Sequence, residues 1–346
     1  MSCGQEMSSA LLHFGERRRQ WLLGLALGHV LPSWALGETR IHRVGPGGRF
    51  CCLQEAIRAA NSGDTVEIHP GEYRGHVAVV DVPQLTIRGL GSGAVLHADG
   101  RHAEGKAMLV VRGDVVVENI EFRGARVPEG NGAGIRFERG RLVVRRCRFF
   151  DNEMGILTAN EANMTLDVVD CEFGAAPRHE GLLHHLLYVG AIGALNIQGS
   201  RFSGGWRGHL LKSRAQRNRV HNNRLDDRPA GEASYELEFP NGSHNIVVGN
   251  VIAQSARTQN RDLLSMGAEA QGGSAGSLML MNNTFINAAG GNARFVRVWT
   301  ERMQGETSVR MVSNKFVGPG QLSLPSAWDG GGNRRLELGT FALQQR

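Results

Sequence analysis

Between residues 178 and 270 the chain gathers side chains that move protons or hold anions: His179, His184, His185, Tyr188, His209, Lys212, Arg214, Tyr235, Glu236, Glu238 and Glu269. A proton beside a carboxylate can be taken by an amine, a phenol or an imidazole while a guanidinium grips the carboxylate as a two-pronged donor. On that logic Lys212, Tyr188, His209, Arg214 and Glu238 are the candidate catalytic residues. His184, His185, Arg207, Tyr235, Glu236, Glu269 and Arg297 are the candidate substrate-binding residues. Lys212 stands out because the chain holds three lysines, Lys106, Lys212 and Lys315, against 36 arginines. Other chemistries fit less well. Glycoside hydrolysis needs two carboxylates at a set separation, whereas Glu236 and Glu238 fall on one strand face and Asp226 and Asp227 are neighbours in a turn. His184, His185 and His209 are metal-ligand types, but the chain has no Cys-x-x-Cys or Cys/His zinc spacing, and neither metal nor cofactor is expected.

Such residues need a frame that brings distant segments side by side, and the sequence repeats one. A short strand recurs as VVVENIEF ending at Phe122, LVVRRCRF at Phe149, LDVVDCEF at Phe173, LNIQGSRF at Phe202, NRVHNNRL at Leu225, NIVVGNVI at Ile252, LMLMNNTF at Phe285 and VRMVSNKF at Phe316. Strands of constant length joined by turns of variable length are the mark of a solenoid. Two residues before each anchor stand Ile120, Cys147, Cys171, Ser200, Asn223, Asn250, Asn283 and Asn314. Side chains alternate along a strand, so these share the anchor's face, and stacking in register would make the last four an asparagine ladder. A second strand precedes each anchor: GIRFE, GILTA, HLLYVG, GHLLKS, SYELEF, DLLSMG and RFVRVW. In GHLLKS, placing Leu211 inward with His209 and Ser213 turns Lys212 outward. The same count turns Tyr188 outward on the preceding coil and Glu236 or Glu238 outward on the next.

The expected fold is therefore all-β: a single-stranded, right-handed parallel β-helix of about ten coils over residues 36–323, with 324–346 as a tail or cap. A first coil exposes apolar surface and strand edges that need covering. CLQEAIRAA at 52–60 puts Leu53, Ala56, Ile57 and Ala60 on one helical face and reads as an N-terminal capping helix. Arg17-Arg18-Arg19, the apolar run to Leu31 and the small-residue end at Ala35 read as an export signal over residues 1–35 of twin-arginine type. Nothing after it is apolar enough to span a bilayer, so a periplasmic or secreted monomer is expected. The formal net charge of +6 favours acidic partners, of which an anionic polysaccharide suits an exported protein better than nucleic acid. Cys147 and Cys171 occupy matching repeat positions, as stacked thiols or as a disulfide.

The short helix, then SGDTVEIHPGEY, then the repeats resemble the pectin-lyase-like β-helix superfamily. A narrower stretch is similar to the chondroitinase B and alginate lyase family: Lys212-Ser213-Arg214-Ala215-Gln216-Arg217-Asn218, Asn222-Asn223, Tyr235-Glu236-Leu237-Glu238-Phe239-Pro240-Asn241 and Val248-Gly249-Asn250. That resemblance implies β-elimination on a uronate, with Lys212 as the base, an arginine on the next coil assisting and calcium neutralising the carboxylate. Where the family carries that arginine this chain has Glu238, and where it carries calcium-binding glutamates this chain has Gly205 and Arg207. The expected function is binding, with cleavage by β-elimination, of an anionic polysaccharide. The competing expectation is a non-catalytic carbohydrate-binding or structural β-helix, in which the same residues form an ion-pair network.

Overall fold

The computed structural model describes residues 39–339 apart from 273, 304 and 323–325, so the expected export signal lies outside the described residues. Three parallel sheets run along the molecule. The first has eleven strands, from Ile41–Val44 to Thr307–Val312; the second has nine, from Ala78–Val80 to Arg294–Val298; the third has eleven, from Gly71–Arg74 to Arg334–Leu336. The chain visits the sheets in turn, and each strand pairs with its counterpart one coil earlier, as Thr165–Val169 pairs residue for residue with Ala194–Gln198. This is the right-handed parallel β-helix that the repeat predicts.

Each recurring segment, read above as one strand, is two. In LDVVDCEF, Thr165–Val169 lies in the first sheet and Glu172–Gly174 in the third, with Asp170 between them at φ 52°. Asn119, Arg146, Gly199, Asn222, Gly249, Asn282 and Ser313 take the same left-handed conformation at the equivalent place. One left-handed residue turns the chain sharply from sheet to sheet, and Gly249 adopts that conformation without strain. A side chain there would also collide, because a Cβ on Gly249 would stand 2.2 Å from Asn222 Oδ1.

Immediately after that corner comes the inward residue of the ladder. Asn223, Asn250 and Asn283 each donate from Nδ2 to the Oδ1 of the asparagine one coil on, at 3.0 Å in every case. Asn314 continues the row to Asn333, one rung beyond those expected. Each Oδ1 also accepts a backbone N–H from the preceding coil, as Asn250 does from Asn223 at 2.8 Å. A buried amide is tolerated because its donors and acceptor are all occupied. In the coils that precede the ladder Phe122, Phe149, Phe173 and Phe202 stack with ring centroids 5.1, 4.8 and 4.6 Å apart. Burying each such ring is worth about 1.5–3 kcal/mol. Cys147 and Cys171 lie in the same interior as free thiols, not a disulfide, and burial pushes Cys171 up to about 12.

The capping helix spans Leu53–Ala59 and buries Leu53, Ala56 and Ile57. Gln54 ties it to the second sheet by accepting the Val79 N–H at 2.8 Å. Ahead of it Ile41–Val44, a strand the repeat does not announce, pairs with Thr65–Ile68. Asp64 joins that first coil by accepting from Arg40 N, Asn61 N and His42 Nε2. Burial opposes its charge, but these hydrogen bonds hold the carboxyl at about 2. At the other end Arg334–Leu336 adds a strand to Lys315–Val317 within the segment read as a tail or cap. No helix among the described residues is long and apolar enough to cross a membrane.

The ladder predicts the effect of breaking it. Asn250→Ala takes the acceptor from the Asn223 N–H and one donor each from the Val220 carbonyl and Asn283 Oδ1, so urea unfolding should show a loss of about 2–4 kcal/mol. Arg219→Ala, on the exposed side of the first sheet, should change stability by less than about 0.5 kcal/mol.

Candidate functional site

Strand pairing in the second sheet creates an outward row, one residue per coil: Leu157, Tyr188, Lys212, Glu238, Ser265, Arg297. Tyr188, Lys212 and Glu238 are thus direct neighbours although 50 residues of chain separate the first from the last. Lys212 is 8 % exposed, and its Nζ donates to Glu269 Oε1 at 2.6 Å and lies 3.2 Å from Glu238 Oε2. Arg214 donates from Nε to the Tyr188 hydroxyl at 3.0 Å and from its amino groups to Asn241 and to the second oxygen of Glu269. Glu269 arrives from the turn after Asp262–Met266, with its backbone N–H on Pro240 O at 2.8 Å. Its carboxylate is therefore gripped by an ammonium and a guanidinium at once.

Behind this clamp His209 Nε2 meets Glu238 Oε2 at 2.7 Å, and the His209 backbone N–H donates to His185 Nδ1 at 2.9 Å. The His185 ring stands edge-on to both His209 and Tyr188, with centroids 4.7 and 5.2 Å away, and Tyr235 stands edge-on to His209 at 4.9 Å. Burial pushes His185 well down, helped by the nearby cationic side chains, so its ring is neutral, and because Nδ1 accepts the His209 N–H the proton sits on Nε2. Burial also lowers His209, only partly offset by Glu238. Burial would raise Glu238, but the His209 hydrogen bond and the Lys212 charge bring it below its ordinary value. Glu269 is lowered in the same way, by Lys212 and Arg214 against burial. The clamp thus sets Lys212 and Arg214 against the carboxylates of Glu238 and Glu269, with the neutral His185 ring behind them.

No family model matches the chain, and no curated protein matches its sequence. Solved structures do match its shape. A pectate lyase, Pel9A, superposes with a TM-score of 0.55 at 14% identity over 85% of this chain and 79% of its own. An alginate lyase of the PL6 family, AlyGC, superposes with a TM-score of 0.52 at 15% identity over 80% of this chain. The chain spans 40% of that enzyme's length. The chain has the pectin-lyase-like β-helix fold.

Within that pectin-lyase-like frame, several expected site residues lie elsewhere. His209, counted inward, is outward with Lys212 and Glu238, because the strand begins at Leu211 and the alternation does not extend back to it. Glu236, counted outward, is 0 % exposed, and neither carboxyl oxygen has a partner among the described residues. Its strand begins at Leu237, and Glu236 falls in the interior row that Leu186, Leu210, Leu263 and Phe295 occupy on neighbouring coils. His184 is buried against the Pro177 carbonyl, and Arg207 lies over the Trp206 ring at 5.2 Å, so neither joins the clamp. Arg297 is in the outward row but three strands from Lys212. Asn241, which holds Arg214, was not picked out by the spacing of residue types. The calcium of the lyase resemblance does not fit: Gly205 has no side-chain oxygen, Arg207 brings a cation, and Glu238 is engaged by His209 and Lys212.

Burial drives the Glu236 carboxyl well above the ordinary range, with the nearby Asp227 charge adding to it. A carboxyl with a higher pKa folded than unfolded binds its proton more tightly in the folded state, so stability falls as pH rises above about 4.3 toward the folded value. Glu236→Leu, which matches the rest of its row, should raise unfolding free energy at pH 7 by about 2 kcal/mol. That advantage should shrink as the pH is lowered, which a pH series of urea denaturation would show.

Proposed function

We propose that this β-helix is an exported protein that binds an anionic, uronate-containing polysaccharide across the face carrying Tyr188, Lys212 and Arg214. The observation that carries the reading is the carboxylate of Glu269 held between Lys212 and Arg214 beside the Tyr188 hydroxyl. A surface that grips one carboxylate with an ammonium and a planar guanidinium has the donors to grip a sugar carboxylate in its place. The side chain of Glu269 is 44 % exposed, so it can rotate out while its backbone stays on Pro240. The neutral His185, with its proton on Nε2, adds an uncharged donor beside Tyr188 for a sugar hydroxyl or ring oxygen.

Cleavage by β-elimination is the second reading, favoured by Lys212 standing where the lyase resemblance puts the base. A uronate carboxylate bound on the Arg214 side of the clamp would bring its α carbon toward Lys212. Elimination would take the α proton onto a neutral Lys212 amine, form the carbon–carbon double bond and break the bond to the glycosidic oxygen. That oxygen would receive a proton from Tyr188. In the resting structure Lys212 donates to two carboxylates, so this step requires Glu269 to leave and the lysine to lose a proton first. Binding makes no such demand.

Two variants separate the readings. Lys212→Arg keeps a cation but has no accessible neutral form, so it should retain binding to alginate, pectate or glycosaminoglycan while losing the ultraviolet absorbance of unsaturated uronate products. Lys212→Ala should lose the product absorbance and bind about tenfold more weakly. Product absorbance that survives in Lys212→Ala would rule out Lys212 as base. Binding with no product from any acidic glycan would leave the non-catalytic reading. Glu269→Ala should tighten binding by vacating the clamp, and weaker binding in that variant would contradict the exchange of carboxylates.

A further inference from the structure

Three strands along the outward row from Lys212 lies a second cationic group. Arg297 follows Ser265 in the row, and the turn after its strand brings Arg302 back over the same coil. Trp299 sits between them, with the Arg297 and Arg302 guanidinium carbons each 4.4 Å from its ring centroid. The indole is fixed in place because Nε1 donates to Ser265 Oγ at 3.1 Å. Arg297 is bonded to Glu301, yet its Nε is buried with no partner among the described residues. Arg302 is exposed and donates one amino group to the Ala268 carbonyl, leaving further guanidinium N–H groups toward solvent.

That last contact joins the two cationic groups. Ala268 precedes Glu269, so one turn carries the carboxylate in the clamp and the carbonyl that orients Arg302. With strands about 4.8 Å apart, the row from Lys212 to Arg297 covers roughly 14 Å. A single sugar cannot reach both ends, but an extended acidic chain lying along the row can.

We propose that Arg297, Trp299 and Arg302 form a second anion subsite that takes a further carboxylate of the polysaccharide chain held at Lys212 and Arg214. Paired guanidiniums flanking an indole are pre-oriented, because stacking on the ring removes the rotamer freedom that each arginine would otherwise lose on binding. Glu301 takes up one of the two positive charges, so the subsite carries a net cation centred on Arg302. This subsite rests on the reading of the Lys212 and Arg214 clamp.

The test is titration of the full chain with short and long oligouronates derived from alginate and from pectate. Arg302→Ala and Arg302→Gln should bind short oligouronates like the unaltered protein and long ones about tenfold more weakly, with Arg302→Lys recovering part of the loss. Unchanged thermal melting would show that the turn still folds. Equal affinity of Arg302→Ala and the unaltered protein for long oligouronates, or an equal loss for short and long ones, would overturn the subsite. If Lys212→Ala also leaves short-oligouronate binding unchanged, the clamp itself fails, and this subsite with it.

Discussion

In-register hydrogen bonding between successive coils is the constraint on which the rest of this molecule depends. Parallel pairing places residue n of one coil beside residue n of the next, however long the intervening turn. The asparagine row from Asn223 to Asn333 enforces that register, since each side chain bonds both the amide and the backbone of its neighbour. A one-residue slip would break every rung and bring the outward face inside. The left-handed residue before each rung serves the same end, setting one sharp corner at the same place in coil after coil.

The same constraint assembles the site. Tyr188, Lys212 and Glu238 belong to three coils and become neighbours only through register. Their electrostatics are then decided by burial. Glu238 is 2 % exposed and survives as a carboxylate because His209 and Lys212 both hold it, since a buried charge stripped of partners costs several kcal/mol. Glu269 bonds the same lysine but is half open to water. Exchanging it for another carboxylate replaces like with like, so the free energy of exchange is small and is set by what else the incoming molecule touches. That asymmetry makes Glu238 part of the frame and Glu269 the replaceable member.

Glu236 shows the opposite balance. Two residues from Glu238, it sits in an interior row of leucines and phenylalanine with no hydrogen bond among the described residues, which a natural fold accepts only at a loss of stability. Its proximity to Asp227, itself pushed up by burial, concentrates two reluctant carboxyls on that side of the interior.

Much was legible in the sequence because it depends on local periodicity. The alternation in LDVVDCEF, the recurring asparagines and the helical face of Leu53, Ala56 and Ile57 specify strands, a ladder and a cap through side-chain direction alone, and strand alternation turns Lys212 outward. The corner that splits each repeat in two was not legible, since Asn119, Arg146 and Ser313 differ in type and share only a backbone conformation. Nor were the inward Glu236 and the outward His209, because both precede the first residue of their strands, where alternation stops applying. The grip of Lys212 on Glu269 spans 57 residues of chain and comes from a turn whose path no periodicity describes. Sequence by itself determined which residues repeat and which way a strand side chain points. Tertiary structure decided which charges meet, because that depends on where irregular turns return to a regular frame.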